Sequence, residues 1–420
     1  MNKKPVNGMR DILPKEMEIR QYVLSVIRKT YQEFGFTEME TPIVESMENL
    51  QGKQGGENEK LIFKIMKRGD KFDLSRAQTE NDLADSGLRY DLTMPLSRYF
   101  ANHQTELQKP FKALQIGPVF RAERPQKGRF REFYQCDIDI FGDATNLAET
   151  ELILAMSTVL SRLGFRHFQI RINDRRILKA MAAFSGLQED QYDEMFIILD
   201  KMDKIGLSGV REELLEMGLT EENADRYLNL FDIIEGKTGT DAVDAMKANL
   251  DGKLTDEVAE NLKQIFTMVS AASEVPVELI FDPTLVRGMG YYTGPIFEIA
   301  VPEFQSAMGG GGRYDEMVGK FVGQSTPACG FSIGFERMIS ILLENGFTVP
   351  GSEKRIAFLM EKGLSPEKTA DVLRLAQEER KTGARVLTAV MIKNKKFQKE
   401  QLKAEGYEEI REFYERPLEG

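Results

Sequence analysis

Residues 120 to 141, FRAERPQKGRFREFYQCDIDIF, crowd arginines, a lysine and acids into a stretch of hairpin length. A hairpin that only had to fold would alternate apolar and polar residues around an Asn-Gly or Asp-Gly turn. This one is suited to holding something charged at both ends. In an extended strand alternate side chains share a face, so Arg121 and Glu123 point one way and Phe120 and Ala122 the other. On the return strand Gln135, Asp137 and Asp139 share a face opposite Cys136, Ile138 and Ile140. The two strands then form one floor bearing a guanidinium, an amide and carboxylates, joined by the basic loop RPQKGR. The competing reading is a solvated antiparallel face with cross-strand ion pairs, the commoner meaning of such charges.

Three further stretches carry polar groups at useful spacing. SGLRYDLTMPLSRYF (86 to 100) sets Asp91 and Thr93 two apart, on one face if extended, where they could hydrogen-bond a small cation. The plainer alternative is a strand-to-helix junction with Thr93 as N-cap. LVRGMGYYTGPIFEI (285 to 299) places Arg287 beside Gly288 and Gly290 and ahead of Tyr291 and Tyr292. Glycines there allow close backbone approach, and phenols supply hydrogen-bonding walls; a β-bulge beside a buried arginine fits equally. GGGGRYDEMVGKF (309 to 321) and ACGFSIGFERM (328 to 338) add a glycine run, Tyr314 and a strand-to-helix step ending at Glu336 and Arg337. Neither Walker-A nor dinucleotide-binding spacing is present, and Arg337 alone would read as a helix-surface charge.

Elements that could position these groups follow from periodicity. Ile19, Tyr22, Val23, Val26, Ile27, Tyr31 and Phe34 recur at helical spacing, with Gly35 as a stop. FTEMETPIVES is a short extended run broken by Pro42. Residues 111 to 141 read as strand, loop, strand, and Asn146 and Glu149 stand at capping-box spacing before a helix running to Gly164. From about Lys179 to Ala272 the sequence is charged and helix-forming; strand-like, glycine-rich sequence returns from Val275 to Gly334. A break at VPGSEK (349 to 354) opens a tail with strand RIAFLM, a helix over 365 to 382, strand ARVLTAV and a lysine-rich run.

Bulk properties narrow the classes. The chain has 420 residues, 41% of them hydrophobic, and a formal charge of −11, so any polynucleotide contact must use a local basic patch. Cys136 and Cys329 sit among apolar residues and suit buried thiols, while His103 and His167 cannot build a zinc site with so few thiols. No apolar leader and no run long enough to span a membrane is visible, which predicts a soluble, cytoplasmic protein.

Taken together, the fragments resemble the three motifs of class II aminoacyl-tRNA synthetases and the two further segments of the histidyl-tRNA synthetase family. FTEMETPIVES is similar to motif 1, FRAERPQKGRFREFYQCDIDIFG to motif 2 and ACGFSIGFERM to motif 3. GLRYDLT and LVRGMGYYTG resemble the histidine-specific segments, and INDRRIL (172 to 178) also fits. The resemblance runs from about Gly8 to Leu343. It implies an α+β fold: an antiparallel catalytic sheet flanked by helices, with a helical insertion and a small α/β C-terminal domain. It implies domains at 1–180 and 273–348 (the two parts of the core), 181–272 (insertion) and 354–420 (a shortened anticodon-binding-like domain). It further implies a homodimer that activates L-histidine with ATP and Mg2+ and passes it to histidine tRNA.

Carried over by position, the resemblance gives Arg121 the α-phosphate and the histidine carboxylate, with Arg287 flanking the α-phosphate from the other side. It gives Glu123 the adenine, and Arg129 and Arg337 the ATP tail and base. Asp91, Leu92, Thr93 and Gln135 fall at the α-ammonium; Asp139, Tyr292, Tyr291 and Tyr314 fall around the imidazole. No residue is assigned to a metal. In the tail, Lys393, Lys395, Lys396 and Lys399 are the expected RNA phosphate contacts. Two departures stand out: Gly290 replaces the aspartate of the family's RGLDYYTG, and the tail is short. One rival is a non-catalytic paralogue, the histidine-sensing regulatory subunit of ATP phosphoribosyltransferase, expected to lack the Arg287 segment, the insertion and the tail. The other is a related ligase with a different acceptor.

Overall fold

The computed structural model describes residues 1–51, 60–125, 129–286, 290–301, 307–351 and 353–416. They form two compact units, one of residues 1–11 and 23–345, the other of 12–22 and 346–420. In chain order the first unit's early strands are β1 (Thr37–Glu38), β2 (Val44–Ser46), β3 (Lys64–Met66), β4 (Ala84–Leu88), β5 (Phe111–Phe120) and β6 (Glu132–Phe141). Then come β7 (Gln169–Asp174), β8 (Glu278–Phe281), β9 (Pro295–Ala300), β10 (Gly309–Arg313) and β11 (Ala328–Gly334).

Eight strands make one sheet in the order β1-β5-β6-β11-β10-β9-β7-β8, while β2, β4 and β3 form a small sheet of their own. The large sheet is antiparallel except at its edges, where β1 pairs with β5 and β7 with β8 in parallel. The alternation read in the return strand is real: Cys136, Ile138 and Ile140 are fully buried. Helix Leu147–Arg162 packs on β6 and β11. Helix Thr93–His103 adds Leu96 and Phe100 to a core cluster with Phe111, Phe141 and Tyr314, in which Phe100 and Phe141 stack with centroids 4.6 Å apart.

Three local expectations change. β5 ends at Phe120, so Arg121 and Glu123 lie beyond it: the Arg121 amide still bonds Arg131 O at 2.9 Å, but the Ala122 amide turns to Leu61 O at 2.8 Å. Asn146 caps nothing with its side chain, and Glu149 does not reach back to it. Glu149 is fully buried and grips Arg313 at 2.5 and 2.8 Å, a stronger demand on a carboxylate than a cap. Third, Thr93 begins its helix, and the Asp91 carboxylate does the capping, accepting from the Met94 amide at 3.0 Å.

Residues 181 to 272 carry helices Tyr192–Leu199, Met202–Glu216, Glu221–Ile234, Gly239–Ala248 and Asp256–Ala272, all inside the first unit. The second unit has strands β12 (Arg355–Met360), β13 (Arg385–Val390) and β14 (Glu409–Phe413), parallel in the order β13-β12-β14, with helices Pro366–Lys381 and Lys395–Ala404. Strand β14 escapes a sequence reading because its charged residues, EIREF, do not alternate with apolar ones. The lysine run is partly spent within the fold: Lys399 pairs with Glu412, and Lys395 lies 4.8 Å from the Tyr414 ring centre, while Lys393 and Lys396 are exposed. Among the described residues, no helix is long and apolar enough to cross a membrane.

Candidate active site

Arg89 sets the approach to the site. Its buried guanidinium donates to Pro118 O at 2.9 Å and Thr41 O at 2.8 Å, tying the segment that leads to Asp91 against β5. Gly117 makes room for it, since a Cβ there would lie 2.3 Å from Arg89 Nη2. Asp91 and Thr93 are thereby held at the start of helix Thr93–His103, facing the sheet. On the sheet, register places Ser332 opposite Asp137, Gly330 opposite Asp139 and Gly334 opposite Gln135.

These groups enclose a cavity of about 130 Å³, walled by Asp91, Thr93, Arg121, Gln135, Asp137, Asp139, Tyr291, Tyr292 and Tyr314 over a floor that includes Gly310, Gly311 and Gly330. Glycine is required in that floor: a Cβ at Gly330 would fall 1.9 Å from Asp139 Oδ1, and one at Gly311 would fall 1.9 Å from Gly330 O. A second cavity of about 210 Å³ adjoins it. Arg121, Gln135, Gly310 and Ser332 line both, and Glu123, Arg129, Phe133 and Arg337 line the second alone.

The small cavity is rich in acceptors. Asp91, Asp137 and Asp139 are each about 3% exposed. Asp91 Oδ2, Gln135 Oε1, Asp137 Oδ1 and Asp139 Oδ2 are buried without a hydrogen-bond partner among the described residues. Such groups cost stability unless something donates to them. Burial raises all three carboxyl pKa values. Asp139 is pushed up to about 7 by burial, against the opposing hydrogen bond that Tyr314 donates to its Oδ1 at 2.5 Å. Burial likewise raises the phenols of Tyr291 and Tyr314, which stay neutral donors.

The larger cavity is basic and already paired. Arg121 donates to Tyr90 O at 2.9 Å and lies over the Phe133 ring at 5.1 Å. Arg129 holds Glu123 at 2.8 Å, Arg337 donates to Ala307 O, and Glu336 accepts from the Tyr134 amide and pairs with Arg10 at 3.1 Å. Among the described residues no cluster of three or more His, Cys, Asp or Glu is placed to hold a metal ion.

Of the residues singled out from sequence, Asp91, Thr93, Arg121, Gln135, Asp139, Tyr291, Tyr292 and Tyr314 meet in the small cavity, and Arg121, Glu123, Arg129 and Arg337 in the larger. Leu92 is fully buried and lines neither. Arg287 lies outside the described residues. Asp137 and Ser332 line the small cavity although no role was expected of them. The period-two face of the return strand pointed to Asp137; nothing local pointed to Ser332, whose place depends on cross-strand register.

An acceptor-rich slot joined through one arginine to a basic chamber, on an antiparallel sheet with helical flanks, is the layout of a class II aminoacyl-tRNA synthetase. The histidyl-tRNA synthetase family profile matches residues 8–338, so the chain belongs to that family. A histidine–tRNA ligase of Leifsonia xyli subsp. xyli is 47% identical over 350 residues, 80% of each protein, and one of Bacteroides fragilis is 40% identical over 345 residues, 80% of this chain and 75% of the relative. The crystal structure of histidyl-tRNA synthetase from Nostoc sp. PCC 7120 superposes with a TM-score of 0.78 at 27% identity, covering 97% of this chain and 90% of that one. A Bacillus halodurans C structure described as an ATP phosphoribosyltransferase regulatory subunit/histidyl-tRNA synthetase gives 0.77 at 21% identity, a likeness of fold alone.

Proposed function

We propose that the small cavity holds histidine and the larger one ATP, with Arg121 at the junction where the two react. The chain is a histidine–tRNA ligase, which uses ATP to activate histidine and transfers it to its tRNA. The observation that carries the placement is the set of buried, unpartnered acceptor oxygens in the small cavity. Histidine brings the matching donors, an ammonium with three protons and an imidazole N–H.

In this reading Asp91, Thr93 and Gln135 receive the ammonium, and Asp139 with Tyr314, Tyr291 and Tyr292 receives the imidazole. Amino acids without ring nitrogens would leave these groups stranded, which is a strong basis for rejection. A carboxylate oxygen of histidine attacks the α-phosphorus, forming the mixed anhydride and releasing pyrophosphate. Arg121, shared by both cavities, neutralises charge on the carboxylate and the α-phosphate as the bond forms. We assign Arg287 the opposite flank. Positioning and fixed positive charge suffice for this step, and no side-chain nucleophile is needed. The terminal ribose hydroxyl of the tRNA then attacks the carbonyl carbon, and AMP leaves. Glu123, Arg129 and Arg337 would exchange their present partners for the nucleotide.

Mg2+ is proposed to arrive on the phosphates of ATP, since among the described residues no cluster of three or more His, Cys, Asp or Glu is placed to hold it. A homodimer is proposed from the motif 1 segment, where Ile43 and Val44 are 39% and 47% exposed. A cytoplasmic location and the domain limits 1–180, 181–272, 273–348 and 354–420 are proposed with it. The regulatory-paralogue alternative is disfavoured by the histidine–tRNA ligases that are 47% and 40% identical to this chain, against 21% for the structure described in part as a regulatory subunit. The test is histidine-dependent ATP–pyrophosphate exchange, followed by aminoacylation of total tRNA. Exchange with another amino acid and not with histidine would overturn the placement.

A further inference from the structure

We propose that the segment Asn7–Arg10 braces the nucleotide side of the site, with Arg10 and Arg131 as positioning residues that set Phe130, Glu336 and Glu123. The inference rests on the reading above that the larger cavity receives ATP, because Glu123, Phe130 and Glu336 line that cavity. Arg10 and Arg131 do not line it, so they act through residues that do. The brace begins as a turn. The Met9 amide donates to Val6 O at 2.9 Å, and Gly8 takes a φ of 84°. Glycine suits that corner because it adopts positive φ without strain. Close approach requires it as well: a Cβ at Gly8 would fall 2.8 Å from Arg131 Cγ and Cδ and from Pro125 Cγ.

Two arms leave this turn. In the first, Gly8 O accepts from the Arg131 amide at 2.8 Å, while Arg131 O accepts from the Arg121 amide at 2.9 Å. The Arg131 side chain then reaches forward, and its Nε donates to Glu123 O at 2.9 Å. The backbone that carries Glu123 is thus tied, through one arginine, to the segment at Gly8. In the second arm, the Arg10 guanidinium lies over the Phe130 ring at 4.6 Å and donates to Glu336 Oε2 at 3.1 Å. Glu336 Oε1 accepts from the Tyr134 amide at 3.3 Å. Glu336 is buried at the start of helix Phe335–Glu344, so its carboxylate links β6, that helix and Arg10. Without Arg10, less of its negative charge would be neutralised beside the place proposed for a polyanion.

The test is pyrophosphate exchange by the full-length enzyme, titrated separately with ATP and with histidine. Arg10→Ala should raise the KM for ATP by about 5-fold, the scale of one partly exposed ion pair with its ring contact. The KM for histidine and the maximal rate should stay near wild type. Arg10 is 31% exposed along its side chain, so its loss leaves no hole in the core and the enzyme should remain folded. Arg10→Lys, which keeps the cation, should recover most of the lost affinity. Gly8→Ala should also raise the KM for ATP, because its Cβ displaces Arg131. Since Arg10 acts in part through Glu336, Arg10→Ala should have a smaller effect in a Glu336→Gln background than in wild type. An unchanged KM for ATP in Arg10→Ala, or an equal weakening of both substrates, would overturn the brace. Arg337→Ala is the control for the underlying reading, since Arg337 itself lines the larger cavity. If it raises the KM for ATP while Arg10→Ala and Gly8→Ala do not, the brace alone falls; if none of the three does, the placement of ATP falls with it.

Discussion

The two cavities share Arg121, Gln135, Gly310 and Ser332, yet they wait for their ligands in opposite conditions. The small one presents carboxyls and an amide oxygen that lack partners, held on strands and at a helix start that cannot retreat. The larger one presents cations that already have partners in Glu123, Ala307 O and Tyr90 O. On the proposed placement, selectivity for the amino acid is built into the resting fold, at a cost in stability. On the same proposal, the nucleotide side trades its present partners for the ligand. Functional sites with perturbed carboxyls commonly show this trade between stability and readiness.

The largest test strikes the shared residue. Arg121→Ala should reduce pyrophosphate exchange by ~100-fold or more, as for removal of one transition-state donor, and should disturb the KM values of both substrates. Arg287→Ala should cost a similar factor. Near-wild-type exchange in either variant would remove that arginine from the reaction.

A smaller effect should separate the cavities. Asp139→Asn is expected to weaken histidine by ~10- to 100-fold, the range for a hydrogen bond to a charged or buried group, with ATP little affected. Equal weakening of both ligands by calorimetry would mean that the sheet itself had been disturbed and that the two sides are not independent.

The resting cost of the small cavity should appear in melting curves. With its pKa near 7 in the fold, against 3.8 for an unperturbed aspartate, Asp139 binds more protons folded than unfolded between those values. Stability therefore falls as pH rises through that window. Asp91 and Asp137 are shifted in the same direction. Without histidine, the melting temperature of Asp139→Asn minus that of wild type should grow from pH 5 to pH 8. A difference that stays flat would show that the carboxyl carries no such penalty.

The smallest effect lies outside both cavities. Replacing exposed Lys393 and Lys396 by alanine should leave pyrophosphate exchange unchanged. Charging should become less salt-sensitive, with the slope reduced by about one unit for each RNA phosphate that is no longer neutralised. Lys395 and Lys399 should contribute less, since Tyr414 and Glu412 already engage them. An unaltered salt slope in the Lys393/Lys396 double variant would place tRNA elsewhere.

What was legible in the sequence was what depends on near neighbours. The faces of the return strand follow from period two, and the buried face Cys136-Ile138-Ile140 matched the expectation. The grouping of Asp91, Arg121, Gln135 and Asp139 followed from family motifs, and the structure brings them together. Distant pairings were not legible. Glu149 looked like a capping residue until Arg313 arrived from 164 positions along the chain. Ser332 looked like strand filler because its meeting with Asp137 is set by register between β6 and β11. Family motifs attach roles to recurring positions, and Asp137 lies between two of them. The end of β5 was missed because the competing partner of the Ala122 amide, Leu61 O, comes from another part of the fold.

Strand β10 is glycine from Gly309 to Gly312, and its residues line both cavities. Glycine surrenders more backbone freedom than any other residue when it is ordered. If the substrates order this strand beyond what its pairing with β9 and β11 already does, the first to arrive bears that entropic cost. The second then meets a strand that is already quiet, so the substrates should assist each other thermodynamically without any change of mean structure. Amide hydrogen exchange over Gly309–Arg313 reads this directly: histidine alone and ATP alone should each slow it, and each should tighten the other's binding by the same factor.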